Sequence, residues 1–139
     1  MATLSKKGIT KETIIPSVTN NGSGLSTFST RTINLEGTEA RLLSEQISAL
    51  NFRLRKSNHS YSSDFHVAGD PTLLIVLAGT LKVELRNGDS QTFSKGEMFI
   101  AEDYLDSNTV FDATTHGHRA KVIGGKEFSA LHLKLDKRT

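Results

Sequence analysis

The sequence predicts an all-β protein with a single barrel or sandwich. From Leu25 onward, short stretches rich in Thr, Val, Ile, Leu and Phe alternate apolar with polar residues, the period of half-buried strands. Turn residues punctuate them, most clearly in LKVELRNGDSQTF, where Asn87-Gly88 readily adopts the positive backbone angles of a tight hairpin. Helical spacing is almost absent. Many short strands at regular spacing with little helix imply closure into a barrel or sandwich.

In chain order, residues 1–24 combine Thr, Ser, Lys, Asn and Gly with little periodicity and are expected to form a flexible arm. Its apolar spot, Ile14 to Val18, could dock as an edge strand. The barrel domain is expected over residues 25–139, with strands near Ser26–Leu35, Ala49–Lys56, Leu73–Leu77, Thr80–Leu85, Ser90–Phe93, Met98–Ala101, Arg119–Ile123 and Phe128–Leu135. Lys95-Gly96 sets a turn before the apolar run Met98-Phe99-Ile100. Only GTEARLLSEQIS, residues 37–48, places Ala40, Leu43 and Ile47 at helical spacing, enough for one short turn.

With 139 residues, one core is expected. The formal net charge is +2, and the basic residues are scattered rather than gathered into a face, which argues against nucleic-acid or membrane-surface binding. Cysteine is absent, so disulfides, thiolate metal sites and cysteine nucleophiles are excluded. No apolar run reaches the length of a signal peptide or a membrane span, and a cytoplasmic protein is the expectation.

The stretch FHVAGDPTLLIVLAGTLKVELRNGDSQTFSKGEMFIAED resembles the small single-domain cupins, whose barrel is a double-stranded β-helix, or jelly roll. His66 falls on the first histidine of the first cupin motif and Gly79 on its closing glycine. Gly88 and Ser94-Lys95-Gly96 fall on the second motif, with Ser94 in place of the usual proline. Thr114-Thr115-His116-Gly117-His118 resembles the T-G-K-G-H segment of the same subgroup, displaced by an insertion over residues 104–113. The family's four metal-ligand positions correspond to His66, Ala68, Thr72 and Phe99. One of the four can ligate well, so the resemblance does not carry the usual metal site with it.

If residues 116–118 are extended, His116 and His118 share a face, and with His66 they could form a displaced site for one divalent metal ion; otherwise no cofactor is expected. Without metal, His66 or His118 is the candidate proton carrier, assisted by Asp103 or Tyr104. The same alternation turns Thr72, Leu74, Val76 and Ala78 inward, with Phe99 and Ala101 facing them, to line a mostly apolar ligand pocket. Arg53 or Arg55, if directed inward, could hold a carboxylate or phosphate. His132 belongs to the last strand, and alternation alone does not assign its face. Asp106, Phe111 and Asp112 in the insertion could cover the barrel mouth.

Three functions follow: a binding cupin for a small organic ligand; a metal-independent isomerase, epimerase or cyclase; and a metal enzyme using His66, His116 and His118. A homodimer is expected, since a small barrel with an apolar outer face gains buried area by pairing.

Overall fold

A computed structural model describes residues 8–137. The strands are β1 (Ile9–Asn20), β2 (Ser26–Thr38), β3 (Arg41–Leu43), β4 (Ala49–Ser57), β5 (Thr72–Ala78), β6 (Thr80–Glu84), β7 (Ser90–Ser94), β8 (Met98–Glu102), β9 (Arg119–Ile123) and β10 (Phe128–Leu135). The described residues contain no helix.

A seven-stranded sheet runs β3-β2-β1-β8-β5-β10-β4 and faces a three-stranded sheet ordered β7-β6-β9. Isolated bridges Ser62–Lys121 and His66–His118 add the segment before β5 to the free flank of β9, as a fourth, irregular strand of the smaller sheet. The central sheet order β4-β10-β5-β8, opposed by segment 62–66, β9, β6 and β7, is that of a jelly roll. Between the sheets lie Val18, Leu74, Val76, Leu81, Val83, Phe93, Phe99, Val122 and Phe128, with Phe93 and Phe99 stacked at 4.4 Å. Every expected strand from Ser26 to Leu135 is present, and the turns at Asn87-Gly88 and Lys95-Gly96 close on the bonds Leu85 N to Asp89 O and Glu97 N to Ser94 O, both 2.9 Å.

Two expectations need correction. Residues 9–20 are not a flexible arm: β1 lies inside the larger sheet, antiparallel to β2 along its whole length and parallel to β8 from Ser17 to Thr19. Ile15, Ser17 and Val18 are buried there. Residues 1–7 of the expected arm lie outside the described residues. Half of β1 is threonine and isoleucine, whose branched side chains suit a pleated sheet. Likewise the segment from Gly37 to Ser48 has no helical turn. It folds into a hairpin with β3 against the end of β2, where a side chain at Gly37 would collide with the Arg41 carbonyl oxygen.

Amide hydrogen exchange distinguishes a sheet strand from an arm. Amides of β1 facing β2 and β8 should be protected with those of β8, and exchange at unstructured-peptide rates across Ile15 to Thr19 would contradict the topology.

Candidate active site

The cavity between the sheets is small, about 150 Å³, and its wall is mostly apolar: Leu74, Leu81, Val83, Phe99, Ala101 and Ala120. Polar groups enter from two sides. His66 and His118 come from the segment 62–66 and the entry to β9; Arg55, Tyr61, Thr72 and His132 stand opposite or at the mouth.

His66 and His118 are locked together by their backbones, with His66 N to His118 O at 2.8 Å and His118 N to His66 O at 2.9 Å. Gly117 makes this possible. Its φ is +94°, and a Cβ there would lie 2.5 Å from the His66 carbonyl oxygen. The imidazole centroids are 4.6 Å apart.

Asp103, just past β8, supports the pair from behind. One carboxylate oxygen accepts from His118 Nδ1 at 2.7 Å and from Ser26 Oγ at 2.5 Å, and the other accepts from the Ala68 amide at 3.0 Å. Burial alone would raise this carboxyl, but the hydrogen bond and charge of His118, with the Ser26 and Ala68 bonds, hold it below the ordinary carboxylate value. Asp103 is therefore ionised near neutrality and accepts the Nδ1 proton of His118. His66 Nδ1 lies 2.9 Å from the Asp64 carbonyl oxygen, which can only accept, so Nδ1 is protonated there also. Burial lowers the His66 pKa, opposed by that bond and reinforced by His118 and Arg55. Neutral His66 thus leaves its Nε2 lone pair available.

On β4 and β10 the paired residues Arg55 and Ala130, and Arg53 and His132, occupy the inner face. Arg55 reaches the cavity, its guanidinium 4.7 Å from the Tyr61 ring centroid and 5.1 Å from that of Phe128. Arg53 stays in the groove outside the mouth. Burial, then the charges of Arg55 and Arg53, push His132 down to about 4.

His66, His118, Asp103, Thr72, Leu74, Phe99 and His132 therefore converge on one site. Four expectations do not hold. Tyr104 lies outside the cavity, with the Lys137 ammonium 4.5 Å from its ring centroid. Val76 is buried core and Ala78 is exposed, so the lining ends at Leu74 along β5. His116 does not join His66 and His118, because the positive φ of Gly117 interrupts the alternation that would have put it on their face; its Nδ1 instead accepts from the Asp112 amide at 2.9 Å. No group of three or more His, Asp or Glu suited to a metal forms among the described residues. Two imidazoles facing an apolar wall do not fit a divalent metal's usual donor set.

The insertion is not a cover either. Asp106 and Asp112 accept from Thr109 and Thr114 within their own turns, and Phe111 packs near His116. The loop is pinned from below by Arg86, which donates to the Ala113 and His116 carbonyls while stacking 3.7 Å from the Phe65 ring centroid. The bonds from Ser26 and the Ala68 amide to Asp103 had no sequence signal, since they join positions 77 and 35 residues apart.

The strand order, the turns at Gly79 and Gly96, and the inward His66 together decide the fold. It is a jelly-roll barrel, the fold that the cupin resemblance implied. Among solved structures it is similar to a cupin-2 domain-containing protein of Shewanella frigidimarina, at 20% identity over 61% of this chain and 69% of that one, TM-score 0.44. It is also similar to the Cnp3 cupin domain of Schizosaccharomyces pombe, at 12% identity over 99% and 90%, TM-score 0.45. A third is a putative ethanolamine utilization protein of Salmonella typhimurium, at 12% over 88% and 97%, TM-score 0.43. No family model and no curated protein matches the chain. No helix among the described residues is long and apolar enough to cross a membrane.

The depressed His132 gives the barrel a pH signature. An unfolded histidine titrates near 6.5, so between there and about 4 the unfolded chain binds the additional proton. Stability from this group is complete above about pH 6.5 and is lost as pH falls toward the folded value, with His66 acting in the same direction. Denaturant midpoints measured from about pH 7.5 to about 4.5 should fall, and His132→Gln should flatten that fall. Parallel profiles for the two proteins would refute the assignment.

Proposed function

We propose that the barrel binds a small organic molecule in its interior and that His118, oriented by Asp103, exchanges a proton with it. The supporting observation is the buried Asp103–His118 hydrogen bond at 2.7 Å, behind an imidazole that lines an otherwise apolar cavity. An ionised carboxylate on Nδ1 fixes the tautomer and favours the imidazolium formed when Nε2 takes a proton. His66, neutral and beside it, offers a second acceptor to the same molecule. A metal-independent isomerase, epimerase or cyclase uses this chemistry; a binding cupin would use the same cavity without the proton step.

The test begins with the full chain incubated in a metabolite extract, re-isolated and denatured, and the released molecules identified by mass spectrometry. A cavity-filling variant, Ala101→Leu, should fail to retain the molecule that the parent retains. In D2O the parent should exchange a proton of that molecule for deuterium, and His118→Gln or Asp103→Asn should slow the exchange by about 10²- to 10⁴-fold. Retention without exchange would leave a binding protein; no retention would defeat the proposal.

The same reading includes a pair of chains. Leu50, Phe52 and Leu54 on β4 are 56%, 65% and 70% exposed, and in register beside them on the outer face stand Leu131 and Leu133, then Leu73 and Ile75. An apolar sheet face of this kind is covered most simply by a second copy across a two-fold axis. Light scattering should give a dimer mass that Phe52→Glu converts to a monomer mass with the far-ultraviolet spectrum intact; a monomeric parent at high concentration would count against pairing.

A further inference from the structure

Arg55 and His132 each hold a buried nitrogen with no partner: Nη2 of Arg55 and Nε2 of His132. Both residues line the cavity, and both also line the groove outside it, so the two side chains form the boundary between them. An unpaired guanidinium nitrogen in a partly apolar wall is costly unless a partner arrives. None of the ion pairs among the described residues involves Arg55 or Arg53, whereas Lys56 is paired with Glu127 and Lys134 with Asp70 around the same groove. The Arg55 Nε already donates to Ser57 Oγ at 2.9 Å, and Tyr61 and Phe128 hold the guanidinium plane in place, so its fork is presented rather than searching. The site is thus pre-set for a negative group, and the protein supplies none.

We propose that the molecule bound in the barrel carries an oxyanion, a carboxylate or phosphate group, seated at the mouth between Arg55 and His132 while its uncharged part reaches His118. This rests on the interior binding proposed above and names the class of molecule. A cavity of about 150 Å³ is of the size that admits one aromatic ring, so the uncharged part inside is small and any further portion lies in the groove beside Arg53. The charges facing the seat are Arg55 and Arg53, with Lys56 and Lys134 around the groove and Tyr61 and His66 beside it. His132 is held neutral by burial and then by these cations; an anion there opposes the cations and favours its protonation.

The probes are benzoate, phenyl phosphate and the neutral benzamide, titrated into the full chain with the ring signals of His66, His118 and His132 followed by nuclear magnetic resonance. Benzoate or phenyl phosphate should bind at least about tenfold more tightly than benzamide, and whichever is preferred tells carboxylate from phosphate. It should also raise the His132 titration midpoint, which benzamide should leave in place. Arg55→Gln should abolish the preference while benzamide still binds, the latter serving as the check that the barrel is folded; Arg55→Lys should retain part of it. Equal binding of charged and neutral probes, or an unchanged anion affinity in Arg55→Gln, overturns the oxyanion seat but leaves the interior site intact. If no probe moves the His118 or His66 signals, both proposals fall.

Discussion

Asp103 brings a carboxylate to 1% exposure, a position that is unfavourable unless its oxygens are bonded. Its three donors come from three distant parts of the chain: Ser26 at the start of β2, Ala68 before β5, and His118 at the entry to β9. Asp103 itself follows β8 directly, so one residue ties four segments at one end of the barrel. This is why the N-terminal hairpin is part of the site. The pairing of β1 with β8 ends at Thr19 opposite Glu102, and the β1–β2 turn then returns Ser26 beside Asp103. Arg31 reinforces the junction from β2 through its 2.6 Å bond to Glu102.

The second constraint is the parity of β4. Its polar residues Arg53 and Arg55 face inward and its large apolar residues face outward, the reverse of the usual arrangement in a sheet covered on one side. Because opposed residues of antiparallel strands share a face, His132 must lie with Arg53, and Leu131 and Leu133 with Leu54 and Phe52. A single register therefore creates both the cationic mouth and the apolar outer surface. Shifting it by one residue would exchange them.

What could be read from the sequence was what is local. Strand alternation and turn glycines depend on near neighbours, which is why the segments from Ser26 to Leu135 were visible and why Thr72, Leu74 and Phe99 could be placed inside. β1 was obscured because its stabilisation comes from partners in β2 and β8 rather than from its own pattern. The assignment of His116 failed at Gly117: alternation holds only in extended backbone, and one positive φ redirects the preceding side chain. Asp103 was nameable as a helper of His118, but the distinction between it and its neighbour Tyr104 depends on where β8 ends and on partners remote in sequence.

The two polar regions of the cavity have opposite character. Behind His118 lies a fixed negative charge, satisfied by donors and shielded from solvent; at the mouth Arg55 and Arg53 are cations without a carboxylate partner among the described residues, and they add to the burial that keeps His132 neutral. Between them lie Leu74, Phe99, Leu81 and Val83, which offer no hydrogen bonds and little screening. A field across so short an apolar span is set by the protein and does not have to be rebuilt by solvent. Under the function proposed above, such a field would orient the bound molecule before any reaction, negative end toward Arg55 and uncharged end toward His118, whose Nδ1 is held by Asp103.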